Sequence, residues 1–337
     1  MKRLDFIDFA KGFSILSIVI FHYSQPYASG FWSKLITFGG SGVHMFFFLS
    51  GFGLGIAYIK INVVDFYIKR FLKILIPYYL TIITIFFTNF TLPPLNYISS
   101  NLYALGGHIF LYKMFDESIM VSYGYHFWFI STIIQFYLVF PLILKIKNYL
   151  SVPQFLIYST VLSLLYSAVI SYFNLHTFRI FNSFFLQYLW EFNLGIALGQ
   201  IYIASGNVIW NKNLIHLALC CIFGVGLTSV MVLYGGMYGR VFNDIPAFIG
   251  YSSLVVLAYK LTSASGVGHK FLNYLGGFSY EFYLIHMIVF TLFNTFITEK
   301  LILVDSIITA LLIVLPISII AAKYFSLFVN KISLTRR

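Results

Sequence analysis

Two side chains in the opening segment, Lys11 and His22, could do chemistry inside a membrane. They interrupt an apolar run that begins at the basic pair Lys2-Arg3. Eleven residues turn a helix to within about 20° of its start and lift it by roughly 16 Å, so both side chains share one face without touching. A cation and a titratable ring on one stripe of a membrane helix face protein or a watery cavity, not lipid. A neutral imidazole at that depth can take a proton near physiological pH. Arg70 and Lys73, three residues apart on one helical face, could hold an anion such as a phosphate-bearing cofactor. His44, His126, Trp128 and His286 fall at depths from which they could join His22 in one outer-half pocket. Glu191 and Glu281 are acids inside apolar runs, each able to orient a histidine or pair with a buried cation. Ser50, ahead of Gly51, could line the path of a ligand, and the glycine could serve close helix packing.

The elements that must position these groups follow from composition. Only 9% of the 337 residues are charged and 60% are hydrophobic, with a mean hydropathy of +0.89. Soluble domains carry about 25% charged residues, which excludes that class. Apolar runs of about 20 residues each predict an all-α polytopic membrane protein, and no alternating segments suggest a β-barrel. Hydropathy predicts about ten transmembrane helices around an intramembrane cavity, at 6–27, 36–58, 70–90, 126–146, 153–173, 179–203, 214–234, 243–262, 272–296 and 301–328. The first is read as a retained anchor, because its apolar run is longer than that of a cleaved signal and holds Lys11. Fourteen lysines and arginines then fall on the side of the termini. Five fall on the other side: Lys34, Lys113, Arg179, Arg240 and Lys300. That bias predicts both termini in the cytoplasm of a cell in whose plasma or inner membrane the chain sits. The net charge of +11 is therefore read as topology, not as affinity for nucleic acid. Cys220 and Cys221 are adjacent and have no metal or disulfide spacing, and no cluster suggests a metal. The whole chain, 1–337, reads as one membrane domain, with its longest outward loop at about 91–125.

In order along the chain stand Lys11-x10-His22, the run Gly42-Val-His44-Met-Phe46-Phe47-Phe48-Leu49-Ser50-Gly51-Phe52, the segment Lys69-Arg70-Phe-Leu-Lys73 before Pro77, the motif His126-Phe-Trp128-Phe-Ile-Ser131, and Tyr280-Glu281-Phe-Tyr283-Leu-Ile-His286. In these motifs the chain resembles the acyltransferase-3 family of integral membrane O-acyltransferases. The match covers residue 3 to about 290. Two positions depart from the family pattern: His44 stands where an acid is frequent, and Lys73 where arginine is commoner, which replaces a bidentate phosphate contact by a point charge.

The resemblance implies a membrane acyltransferase domain that moves an acyl group, most simply acetyl, from cytoplasmic acyl-CoA to a hydroxyl of a cell-surface polysaccharide or lipid-linked sugar. Acetyl-CoA is then a substrate and no metal is needed. His22 becomes the catalytic base or an acyl carrier. Lys11, Arg70, Lys73 and Ser50 become donor-binding residues, and His44, His126, Trp128, Glu191, Glu281 and His286 become candidates for the pocket and the acceptor. Each has a plainer structural role beside it: a packing histidine for His22, a helix-end pair with Asp8 for Lys11, membrane anchors for Arg70 and Lys73, and a belt aromatic for Trp128. Two other functions fit ten spans with buried charges, a transporter or flippase of a lipid-linked glycan and a membrane sensor without catalysis.

Overall fold

A computed structural model of the chain describes residues 4–58, 61–91, 101–206, 213–262, 266–295 and 306–334. It is 87% helical, and no strand occurs among the described residues. Fifteen helices are used below: α1 (Asp5–Ser24), α2 (Gly30–Leu35), α3 (Gly42–Ala57), α4 (Val63–Thr91), α5 (Leu102–Ile109), α6 (Trp128–Tyr149), α7 (Val152–Tyr172), α8 (Arg179–Asn182), α9 (Leu189–Ser205), α10 (Leu214–Tyr234), α11 (Gly236–Phe242), α12 (Asp244–Leu261), α13 (Val267–Gly276), α14 (Ser279–Phe293) and α15 (Leu315–Leu334). A turn at Ile307–Thr309 and a π-helical stretch at Ala310–Val314 lead into α15.

Eight helical stretches are long and apolar enough to cross a membrane, and α13 with α14 makes a ninth, bent by 86°. The protein is a multi-pass membrane protein. The expected continuous span at 179–203 is instead two pieces. Four-residue α8 is followed by turns, and α9 begins only at Leu189. At 17 residues α9 rises about 26 Å, close to the hydrocarbon thickness. The first turns of α1 and the last turns of α15, at Ser326 and Asn330, line one cavity. The two ends of the chain therefore border the same cavity.

Local chemistry sets the boundaries. Pro26 stops α1 in a short 3-10 turn, Gln25–Tyr27. Ser151 and Gln154 form a capping box at the start of α7. In α3 and α9 the glycines Gly51, Gly55, Gly195 and Gly199 form two small-xxx-small faces. A Cβ on Gly195 would stand 2.1 Å from the Phe48 carbonyl oxygen, and one on Gly51 would stand 2.0 Å from that of Phe192. These helices meet backbone to backbone, so Gly51 serves close helix packing. The elbow between α13 and α14 falls at Gly276-Gly277, and both glycines line the same cavity as the chain ends. Irregular backbone at membrane depth is tolerated where it borders such a cavity.

Part of the expected outward loop, 92–100, lies outside the described residues, as do 296 and 301–305 at two span ends. From Asn101 to Gly124 the loop is folded, with α5 and a 3-10 turn at Tyr112–Phe115.

Candidate functional site

An open cavity of about 710 Å³ enters the bundle where the chain ends meet. Its walls include Lys11 of α1, Ser50 of α3, Arg70 and Lys73 of α4, and Glu281 of α14. All four residues expected to bind a donor thus lie on one surface, and one helical face of α4 turns Arg70 and Lys73 inward. The Arg70 guanidinium lies 5.2 Å from the centre of the Tyr58 ring, and its buried Nε has no hydrogen-bond partner among the described residues. A buried N–H donor without an acceptor is costly unless a ligand or water supplies one. Ser50 is a hydrogen-bond partner of Tyr137, and Lys73 lies within electrostatic range of Glu281.

The cavity climbs to Ile18 and Tyr283. One helical turn beyond these stand His22 on α1 and His286 on α14. Their Nδ1 and Nε2 atoms are 2.7 Å apart. The protons can be assigned from the partners. The His286 Nδ1 lies 2.7 Å from the Tyr283 carbonyl oxygen, which can only accept, so His286 carries its proton on Nδ1. The neutral His286 ring then accepts at Nε2, and His22 donates its Nδ1–H. The lone pair of His22 is left on Nε2, the atom of a general base. His22 is 7% exposed and His286 fully buried. The Tyr23 hydroxyl donates to the His286 backbone carbonyl at 2.8 Å and fixes α1 against α14 at this level.

His126 completes a histidine trio. Its ring centre lies 5.0 Å from that of His286 and 6.3 Å from that of His22. It is 2% exposed, and its ring faces the Leu284 backbone. His126 rides on a 3-10 turn, Tyr125–Phe127, entered through Tyr123 at φ 59° and Gly124 at φ 141°. Only glycine adopts the second value readily, and a Cβ there would lie 2.8 Å from the His126 ring. The Tyr283 hydroxyl holds the turn by donating to the His126 carbonyl at 2.5 Å. From the other side, Lys113 donates to the carbonyls of Met120 and Phe127 at 3.3 and 3.2 Å. Lys113 is 1% exposed, and burial pushes its ammonium down to about 7. His108, between the Tyr78 hydroxyl and Ser122, is also held well below the usual histidine range by burial.

Tyr125 meets His22 edge-on at 5.3 Å and donates its hydroxyl to Gln25 Oε1 at 2.7 Å. Across from it, the Arg179 guanidinium stacks 4.1 Å over the Trp128 ring. The Glu117 carboxylate accepts from the backbone N–H groups of Arg179 and Ile180, both at 2.8 Å, and so anchors the start of α8. Tyr188, Tyr125, Glu117 and Tyr283 are electrostatic neighbours of the guanidinium, as is Asp244, and it makes no hydrogen bond or ion pair among the described residues. Arg179 is the residue that sequence reasoning missed, having counted it only as an outward loop charge. No spacing signal links it to Trp128. Trp128 itself lies beneath this cation, and an arginine on its exposed face is a different setting from a belt aromatic.

His44 does not join His22. It bonds through Nδ1 to Glu191 Oε2 at 3.0 Å, with its Nε2 3.7 Å from Asp244. Glu191 therefore orients His44, and Gln187 donates to Asp244 at 2.9 Å. His44 opens α3, in its first turn, on a second cavity of about 320 Å³. Among the described residues no group of His, Cys, Asp and Glu could hold a metal.

The family model described as an acyltransferase domain matches residues 4–323, and the chain belongs to that acyltransferase-3 family. No match was found among curated proteins or solved structures.

Proposed function

We propose that this membrane acyltransferase moves a short acyl group, most simply acetyl, from acyl-CoA to a hydroxyl of a cell-surface or lipid-linked sugar. The observation that carries the proposal is the Nε2 lone pair of His22, held by His286 one turn above a cavity rich in cations. The donor enters from the cytoplasmic side, where both termini lie in this reading, and its phosphates meet Arg70, Lys73 and Lys11. The acceptor comes from the outer side of the plasma or inner membrane.

The acceptor hydroxyl gives its proton to His22 Nε2 as its oxygen attacks the thioester carbonyl. Charge gathers on the carbonyl oxygen and on the imidazolium. His286 accepts the bond from Nδ1–H, which strengthens as His22 becomes charged. The Arg179 guanidinium, stacked on Trp128, supplies positive charge for the oxyanion. Collapse of the tetrahedral intermediate breaks the carbon–sulfur bond, and the proton on His22 passes to the departing thiolate.

His22→Ala in the full chain tests the proposal. Vesicles carrying wild-type protein, given labelled acetyl-CoA on the cytoplasmic face, move label to acceptor, whereas the variant inserts and folds but transfers none. Transfer at the wild-type rate by the variant would remove the catalytic assignment, and label that never reaches acceptor with wild type would favour a transporter.

A further inference from the structure

The side of a membrane protein away from the cytoplasm is normally poor in lysine and arginine. Four of the five cations assigned to that side lie among the described residues. Two are taken up by the histidine site, Lys113 on backbone carbonyls and Arg179 on Trp128. The other two, Lys34 on α2 and Arg240 on α11, are 206 positions apart in the chain yet line the same second cavity. Lys34 spends one donor on the Leu233 carbonyl at 3.4 Å. The Arg240 guanidinium has no hydrogen bond or ion pair among the described residues. No carboxylate lines this cavity. Glu191 and Asp244 contact His44, and Asp244 also accepts from Gln187. Two cations thus face a cavity whose other polar lining is neutral apart from His44: Gln25, Thr37, Ser41, Thr228, Ser229 and Asn243.

At about 320 Å³ the cavity falls within the range of small-ligand sites and holds one substituted sugar ring. It also adjoins the histidines. Phe21, next to His22 on α1, and Gln25, in the 3-10 turn that follows, line it, and Gln25 accepts the Tyr125 hydroxyl.

We infer that this cavity is an acceptor subsite selective for a sugar bearing an anionic group, a carboxylate or a phosphate, which Lys34 and Arg240 grip while Ser41, Thr228 and Asn243 meet its hydroxyls. Calling the ligand the acceptor rests on the acyltransferase reading above, but the affinity of the cavity for an anionic sugar does not.

Binding is measured first, without turnover. The detergent-purified full chain is titrated with glucuronate, glucose 1-phosphate or glucose, and thermal stabilisation is followed. Wild type is stabilised by at least one of the two anions and not by glucose. Response to glucuronate identifies the carboxylate class, and response to glucose 1-phosphate alone the phosphate class. Each solvent-open ion pair is worth up to about fivefold, so Lys34→Gln with Arg240→Gln weakens that binding about tenfold. Ser229→Trp, which keeps both cations and fills the space, abolishes it. Equal binding by wild type and the double variant, an equal response to glucose, or displacement of the sugar by phosphatidylglycerol but not phosphatidylcholine vesicles would overturn the inference. Transfer is measured second, on an acidic oligosaccharide and its carboxyl-reduced counterpart. The double variant loses the preference of wild type for the acid while still acylating the neutral sugar. Anion binding that depends on the two cations, in a protein that acylates nothing, would keep the site and reject the acyltransferase reading.

Discussion

His286 touches no reacting atom in the proposed mechanism, yet its removal has a calculable cost. His286→Leu deletes the acceptor of the His22 Nδ1–H bond, 2.7 Å long and buried, with a side chain of similar bulk. In the resting enzyme that bond joins two neutral rings and contributes about 0.5–1.5 kcal/mol. In the transition state His22 is an imidazolium, and the same bond contributes about 1.5–3 kcal/mol. The difference, about 1–1.5 kcal/mol, sets a minimum loss in kcat of roughly 5- to 13-fold. A base left free to rotate adds up to about 10²-fold. We expect a fall of about a hundredfold in kcat with the donor KM little changed. His286→Gln presents an amide oxygen where Nε2 stood and recovers most of the rate. The assay is transfer of labelled acetyl from acetyl-CoA by full-length protein in vesicles, with folding checked by thermal unfolding. Wild-type kcat in the Leu variant would refute the proton assignment, and so would an equal loss in Leu and Gln.

Three further outcomes follow from other walls of the site. Arg70→Gln and Lys73→Gln each raise the KM for acetyl-CoA, by about tenfold, and leave the acceptor KM alone; an unchanged donor dependence would place the phosphates elsewhere. Arg179→Met lowers kcat by about 10²–10³ with little change in either KM, the pattern of a lost oxyanion contact, while a rise confined to the acceptor KM would make it a binding residue instead. For Lys113 the sign follows from proton counts. Its folded value of about 7 lies below that of an ordinary lysine. Between the two values the unfolded chain holds more protons, so stability rises with pH there. The melting temperature of wild type minus that of Lys113→Met should therefore grow between pH 6.5 and 9, and a flat difference would show that the ammonium is not desolvated.

The bundle was readable because its causes are local. Apolar runs of bilayer length and the lysine- and arginine-rich loops on one side each act through neighbours in sequence. That Arg70 and Lys73 share one helical face followed from their spacing, but that this face turns inward did not. What joins distant segments was not readable. His22 and His286 are separated by 264 residues, and nothing in either segment says that one ring donates to the other. His44 was expected beside His22 because depth was the only coordinate available, and depth does not reveal which side of a helix faces which cavity. Its partner Glu191 sits in a segment whose hydropathy hid the break between α8 and α9. Arg179 was discounted for a related reason, since charge counting treats a cation in a short loop as solvated, and only tertiary packing lays it on Trp128. The Gly276-Gly277 pair did mark the elbow in α14's approach, but hydropathy averaged across it.

The contact between α1 and α13 has a consequence for how bulky molecules pass. A Cβ on Gly12 would stand 1.8 Å from the Leu272 carbonyl oxygen, and one on Gly276 would stand 1.9 Å from that of Asp8. Main chain meets main chain along this edge, with no side chain between them that could swing to a new rotamer. The entrance is thus hinged like a door with one fixed jamb. The edge that carries Lys11 stays put, and any widening of the cavity falls to the opposite post, α4 and α15, which carry Arg70, Lys73, Ser326 and Asn330.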